Sequence, residues 1–531
     1  MNWGVFIGFL LYLIILAFIG WWANKFTKTE SQYYVGGRRV HILAASLSDK
    51  ASDFSGWLML GFPGSAFKSG VGAIWAAIGC LFGTMLDWTV IAFRLRIYAG
   101  KLKAITIPDY LEARVKDHTK LIRFLAGLFI LIFMTAYVSA QFAAGGKTFA
   151  VAFDVDYTWG AVITFIILVA YVIVGGFFAV VWTDVFQALM MLMVLVTVPF
   201  LVVHEVGGFE NALTIISQAD PVKLDPFGGA VGIAALVFAI GYASWIVGYI
   251  GQPHILTRYM SAMNPKELRR PGILISITWT ILVLWGAFFA GFLGFALTQN
   301  GSLPADLDPE QIVPSLIMHF THPLIAGILI SGIISAVMST ADSQLLVAAS
   351  AVGRDYIHKI FNYKTTQKQM VNIGRIVVFV LGIIALWFAL RPNPLVYGMV
   401  ATAWGGLAVG FGPQVTMSLW WKRITKEGII VSMIYGLISE IYMETTIGWS
   451  FTSGPLAGVP IFFVNFFITL FILIIVSLLT KPPEDVIKRH DTLFKKVPLE
   501  GAEPKEIVTE TRAKSQIEHV AEHIVLNALI P

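Results

Sequence analysis

The segment SAVMSTADSQLLV, residues 335–347, sets two hydroxyls side by side at Ser339 and Thr340, then a carboxylate at Asp342 and a hydroxyl at Ser343. Oxygen donors of this kind hold hard cations. The same hydroxyls also bond back to carbonyls of their own helix, here that of Ala336 one turn earlier. Two more carboxylates, Asp53 and Asp184, stand in apolar surroundings, where an ionised group is costly and marks a functional position. Asp53 has a local alternative in pairing with Lys50, and Asp184 in capping its own helix beside Thr183. Trp245 and Tyr249 are four residues apart and share a helical face, which offers an aromatic wall or ordinary packing. Covalent and metal chemistry find no such support. His204, His254, His319 and His322 lack metal-ligand spacing on a common face, and no Ser-His-Asp arrangement is assignable. GGKT at 145–148 imitates a phosphate loop, but Gln141 stands where its first glycine belongs and no strand precedes it.

These residues sit in a chain of 531 residues that is 57% hydrophobic and only 13% charged, with a mean hydropathy of +0.76. Soluble domains carry about 25% charged residues, so the composition is that of an integral membrane protein. The single cysteine, Cys80, excludes an intrachain disulfide framework and any multi-cysteine metal site. Apolar runs long enough to cross a bilayer predict about thirteen helices: 4–24, 42–66, 71–93, 122–150, 157–180, 184–203, 229–257, 272–298, 312–352, 372–390, 395–420, 428–448 and 457–479. The run 312–352 is long enough to include a lead-in helix. Basic residues such as Lys25, Lys28, Arg38, Arg39, Arg258, Arg269 and Arg270 fall in alternate loops. The positive-inside rule then predicts an outside N-terminus and a cytoplasmic C-terminus in the cell membrane. The basic excess therefore reflects orientation in a lipid bilayer, and no nucleic-acid module is visible. Residues 481–531 read as a cytoplasmic tail, whose Ile517, Val520, Ile524 and Val525 fall near one helical face.

Two spans are interrupted. ASDFSGWLMLGFPG (51–64) and GYIGQPHIL (248–256) carry glycine, proline and polar residues at mid-membrane depth. Each opens a block of five predicted spans, 42–203 and 229–420, and an odd count forces opposite topologies on the two blocks. Paired breaks in inverted halves point to a transporter's central site, since unwound backbone is tolerated only where it lines a protein-buried or watery cavity. The remaining segments are an additional N-terminal helix and loop (1–41) and two additional helices (421–480). The alternative is a pair of proline kinks without a ligand.

Together with WTDVFQA (182–188) and SAVMSTADSQLLV, these segments resemble the signatures of the sodium/solute symporter family, most like its sodium/proline branch. The resemblance implies an all-α membrane fold with a five-plus-five inverted repeat, leucine-transporter-like, that works by alternating access. It implies sodium coordinated by the carbonyls of Ala51, Phe54 and Ala336 and the hydroxyls of Ser339 and Thr340, with Asp53 attracting the ion or bracing the site. It implies a solute pocket of Ser55, Tyr137, Trp245, Tyr249, Gln252 and Pro253. A pyrrolidine ring suits aromatic walls, and its carboxylate and amine suit backbone dipoles and Ser55; Trp57 and Trp404 are read as packing. Asp342 departs from the pattern of the proline branch. Other members place a second, inner sodium near this turn, which makes Asp184, Ser339, Asp342 and Ser343 a candidate second site. The function implied is sodium-coupled uptake of a small solute, L-proline first, rather than an enzyme. Pantothenate, another amino acid or a sugar are the alternative solutes, and a channel or membrane sensor the alternative class.

Overall fold

The computed structural model describes residues 2–24, 35–174, 176–363, 366–391 and 395–495. Lys25, Lys28 and the tail pattern Ile517, Val520, Ile524 and Val525 lie outside them. The chain forms two units, Met1–Lys481 and Pro482–Pro531. The first begins with α1 (Trp3–Asn24), α2 (Ile42–Asp53), α3 (Phe62–Ser69), α4 (Ile74–Leu86), α5 (Phe93–Lys101), α6 (Ile107–Val115), α7 (Leu121–Phe153), α8 (Tyr157–Val174) and α9 (Phe177–Val206). It continues with α10 (Phe209–Ala219), α11 (Ile233–Ala243), α12 (Pro253–Ser261), α13 (Arg270–Gln299), α14 (Ile312–Phe320) and α15 (Pro323–Ser350). It ends with α16 (Gln367–Ala389), α17 (Val396–Trp420), α18 (Lys426–Thr446) and α19 (Ile461–Leu479). In the second unit the described helix is α20 (Glu484–Lys495).

Ten helical stretches among the described residues are long and apolar enough to cross a membrane. α17 is long enough but glycine-rich and falls outside these ten, while α2 and α3 are each too short alone. The expected span 312–352 resolves into α14 and α15. Two segments read as loop are helical: α4 runs through a π-helical turn at Asp87–Ala92 into α5, and α6 stands alone, opened by Thr106 accepting from the Asp109 amide at 3.1 Å.

Burial ranks the helices. The apolar stretch containing α15 is 83% buried and that of α16 only 22%, so α15 is a core helix and α16 a peripheral one. The outer face of α16 exposes Ile376, Phe379, Ile383 and Trp387, the signature of a lipid-facing surface. α15 packs against α1, α7 and α9, and α7 also packs against α17. The residues with chemistry thus lie on helices enclosed by other helices.

Both predicted interruptions are real breaks. α2 ends at Asp53, and Phe54 takes non-helical angles (φ −88°, ψ 86°) before the π-helical turn Trp57–Gly61 leads into α3. The freed amides find side chains: Trp57 donates to Ser55 Oγ at 3.1 Å and Gly56 to Gln141 Oε1 at 2.9 Å. Gly56 is required by its neighbour, because a Cβ there would lie 2.6 Å from that of Ala144. Pro63, by contrast, sits in the first turn of α3 and breaks nothing. In the second interruption, α11 passes into 3₁₀ turns over Ser244–Val247 and Tyr249–Gly251, and Gln252 is extended (φ −95°, ψ 104°). Pro253 then occupies the first turn of α12. A Cβ on Gly251 would come within 2.8 Å of α17 backbone at Ala408, so this break lies directly on a neighbouring helix.

Candidate cation and solute site

α15 brings its paired hydroxyls to the last turn of α2. Ser339 Oγ lies 2.7 Å from the Ala51 carbonyl, 2.8 Å from that of Ser335 and 3.4 Å from that of Ala336. Thr340 Oγ1 lies 3.1 Å from the Ser52 carbonyl. Ala51, Ala336, Ser339 and Thr340 therefore meet where α2 stops, fully buried, with Phe54 as the first non-helical residue beyond. Thr340 faces Ser52, a residue absent from the expected set. A cradle of neutral oxygens suits a monovalent hard cation that must also be released.

Beside this cradle lies an ionic cluster. Asp184 Oδ2 accepts from Ser48 Oγ at 2.6 Å, Ser52 Oγ at 3.3 Å and the Arg258 guanidinium at 3.2 Å. Arg258 also donates to Ser52 Oγ at 2.8 Å, to the His254 carbonyl at 2.7 Å and to Ser343 Oγ. Ser343 is 3.0 Å from both Ser52 Oγ and Asp342 Oδ1. Asp184, Asp342 and Ser343 are thus brought together, whereas Ser339 turns to Ala51. The capping alternative for Asp184 fails, because α9 begins at Phe177 after Gly176 and Asp184 lies two turns inside. Arg258, only 1% exposed, was read as a loop charge from its place at the end of a span. Its role depends on partners from α2, α9 and α15, which no local pattern announces.

Asp53 is held by a neighbour on its own helix. Its carboxylate is taken by Lys50 Nζ at 2.7 Å, the local pairing open to it in the sequence.

The second break carries an aromatic cluster. Trp245 packs against Trp57 (ring centroids 4.8 Å), Tyr397 (5.6 Å) and Trp404 (6.1 Å). Tyr249 lies 5.1 Å and Tyr137 6.4 Å from Trp404. Ser55 lies against the Tyr137 hydroxyl, so the two breaks converge on one patch. Trp57 and Trp404 are members of this cluster, where packing alone was expected of them. Gln252 spends its amide hydrogens on the carbonyls of Gly248 (3.0 Å) and Trp404 (3.1 Å), which steadies the unwound turn; its Oε1 is buried and unpaired. Pro253 starts α12 and contributes a backbone carbonyl, not a ring in the cluster: Thr257 donates to it at 2.7 Å.

Tyr397 is the member that the sequence did not suggest. Its hydroxyl accepts from Trp245 Nε1 at 3.0 Å, and its other side lines a cavity of about 720 Å³ bounded by Gly61, Lys68, Tyr242, Glu310 and Trp449. Tyr397 therefore stands between that cavity and the aromatic cluster. Its position is fixed by Glu310, whose carboxylate accepts the amides of Val396 and Tyr397, both at 2.9 Å, and Lys147 Nζ at 2.7 Å. Lys147 is consequently an ion-pair partner of the cavity-lining Glu310 and also holds Asp308 at 2.8 Å.

Comparison with known proteins agrees with this architecture. The profile of the sodium:solute symporter family matches residues 33–436. The osmoregulated proline transporter OpuE of Bacillus subtilis is 36% identical over 89% of this chain and 94% of its own. The sodium/proline symporter of Escherichia coli is 37% identical over 83% of this chain and 88% of its own. Among solved structures, a Na+-coupled sialic acid symporter in an outward-open state superposes with a TM-score of 0.74 at 21% identity, covering 91% of this chain and 99% of that one. A nucleobase-cation-symport-1 family transporter gives 0.54 at 15% identity, covering 88% and 100%. The fold is all-α and leucine-transporter-like, as expected. With one helix broken at an oxygen cradle, a second broken beside an aromatic cluster, and a family match across most of its length, this multi-pass membrane protein belongs to the sodium:solute symporter family.

Proposed function

We propose that the chain couples the inward movement of sodium to uptake of a small zwitterionic solute, L-proline, by alternating access. The observation that carries this reading is the contact of Ser339 and Thr340 with the last turn of α2, beside an aromatic cluster under an open cavity. Sodium would bind to the carbonyls of Ala51, Phe54 and Ala336 and the hydroxyls of Ser339 and Thr340. Proline would place its ring against Trp245, Tyr249 and Tyr137, with Ser55 and the amides freed at the breaks for its charged groups. Trp57 and Trp404 belong with these walls, and Tyr397 covers the site from the cavity. The names of the relatives support proline ahead of pantothenate, other amino acids or sugars.

The repeats are assigned to 42–203 and 229–420, flanked by 1–41 and 421–480, with the N-terminus outside and the C-terminus inside. The cavity above Tyr397 is then the outer vestibule. One positive charge moving down 100 mV supplies about 2.3 kcal/mol, or roughly fifty-fold accumulation before any sodium gradient is counted. A second sodium at Asp184, Ser339, Asp342 and Ser343 would share its space with Arg258, which already neutralises Asp184. We therefore assign one sodium to the cycle.

Uptake of labelled L-proline into proteoliposomes tests the reading. Accumulation is expected only with an inward sodium gradient and should collapse with a sodium ionophore. Equal uptake in sodium-free potassium buffer would sink it, and sodium-driven uptake of a different solute would keep the coupling but remove proline. Solute-independent conductance would make the chain a channel.

A further inference from the structure

A second buried ionic group lies on the other side of α2, and the proposed cycle leaves it unused. Lys50 Nζ is 2.7 Å from Asp53 Oδ2, 3.3 Å from Asp49 Oδ2 and 3.4 Å from Thr84 Oγ1. Asp49 Oδ2 also accepts from Trp88 Nε1 at 3.0 Å, and nearby Asp87 Oδ2 accepts from the Tyr259 hydroxyl at 2.5 Å. Lys50 and Asp49 are wholly enclosed and Asp53 is 4% exposed. A buried charge of this kind is costly unless it is fully paired, and a single lysine in the same place as three carboxylates calls for an account.

The ammonium also touches both functional regions. It lies 5.5 Å from the centre of the Phe54 ring and 5.4 Å from that of Tyr249, within the range of cation–π attraction. Phe54 is the residue at which α2 unwinds, and its carbonyl belongs to the sodium set. Tyr249 is a wall of the solute pocket, pressed so closely on α4 that a Cβ on Gly83 would sit 2.3 Å from its ring. Lys50 is moreover the residue before Ala51, another sodium ligand. One fixed cation thus braces the ion side and the solute side, and it occupies Asp53, the carboxylate that directly precedes the break.

We propose that Lys50 is a positioning residue that sets sodium affinity against solute affinity. By holding Asp53, it leaves the oxygen cradle neutral, so sodium binds weakly enough to be released. By lying against Tyr249, it keeps that ring in place for the solute. The inference rests on the sodium-coupled reading. It goes beyond it by assigning a tethered ammonium, outside both sites, to the balance between them.

The two effects have opposite signs, which makes them measurable. In Asp49→Asn/Lys50→Met the net charge of the group is unchanged, but Asp53 is freed and Tyr249 loses its cation. Half-saturating sodium for proline uptake should fall at least five-fold, while half-saturating proline at saturating sodium rises at least three-fold. Lys50→Arg, which keeps a cation on the same partners, should restore both values to within about three-fold of the parent. A general loosening of the fold would weaken both ligands together. Parallel weakening, or values within two-fold of the parent, would overturn the proposal. If the double variant does not reach the membrane, Asp49→Asn/Lys50→Gln, which also leaves the Asp53 charge uncompensated and Tyr249 without its cation, should show the same opposed shifts. Loss of sodium dependence in the parent protein would instead sink the sodium reading itself, so the two failures are distinguishable.

Discussion

At the scale of single residues, the cluster around Trp245 makes a sharp demand. Its indole packs at a tilt against Trp57, touches Trp404 and donates to Tyr397. Truncating a large aromatic anchor in a binding site costs about 2 kcal/mol or more, so Trp245→Ala should raise half-saturating proline roughly thirty-fold. Half-saturating sodium should change far less, because no Trp245 atom belongs to the cradle. Parallel sodium and proline titrations of the variant check this, and an unchanged proline value would remove Trp245 from the pocket. The Ser-Thr pair, the aromatic spacing and the isolated carboxylates were legible in the sequence because each is a local pattern on one helix. Arg258 and Tyr397 were not, because what gives them meaning is a partner far along the chain, and of Lys50 only the pairing with Asp53 was legible, not the contact with Tyr249. Arg258 meets Asp184 across 74 residues and Tyr397 meets Trp245 across 152. A positive charge at the end of a span is also what membrane orientation alone would place there.

At the scale of elements, the account turns on two short unwound turns. Glycine, proline and polar residues inside apolar runs predicted both, since unwound backbone at mid-membrane depth is tolerated only where it lines a protein-buried or watery cavity. The limits of the breaks were less legible: Pro63 and Gly64 read as part of the first interruption, yet they lie in α3, beyond a π-helical turn that no sequence rule announces. Gly56→Ala should show how tightly the first break is held. The added methyl would meet Ala144 at 2.6 Å, and overpacking of this kind costs about 1–3 kcal/mol. A lower melting temperature in detergent and a several-fold slower maximal uptake are expected. A variant as stable and as fast as the parent would mean that the contact of the first break with α7 is dispensable. On the cavity side, Glu310 ties Lys147 to the first amides of α17. Glu310→Ala should free that helix start and with it Tyr397. A cysteine placed at Trp57 should then react faster with a membrane-impermeant thiol reagent than in the parent background, and an equal rate would deny Tyr397 its role as cover.

At the scale of the whole molecule, composition and hydropathy were enough to read a multi-pass membrane protein with an all-α fold. The packing order, with α15 enclosed and α16 peripheral, required the structure, because both helices are strongly apolar. Coupling is a property of this scale. With Arg258 neutralising Asp184, the cycle should carry one charge per solute, and reversal-potential measurements in proteoliposomes should return a sodium-to-proline ratio of one. A ratio of two would restore the second site. The most direct test of the central claim is the sodium dependence of proline uptake in Thr340→Ala beside the parent. The account predicts that half-saturating sodium rises about ten-fold or more, the equivalent of at least 1.4 kcal/mol, while maximal uptake at saturating sodium is largely retained. An unaltered sodium curve would contradict it, for the ion would then be bound somewhere other than where α15 meets the broken end of α2.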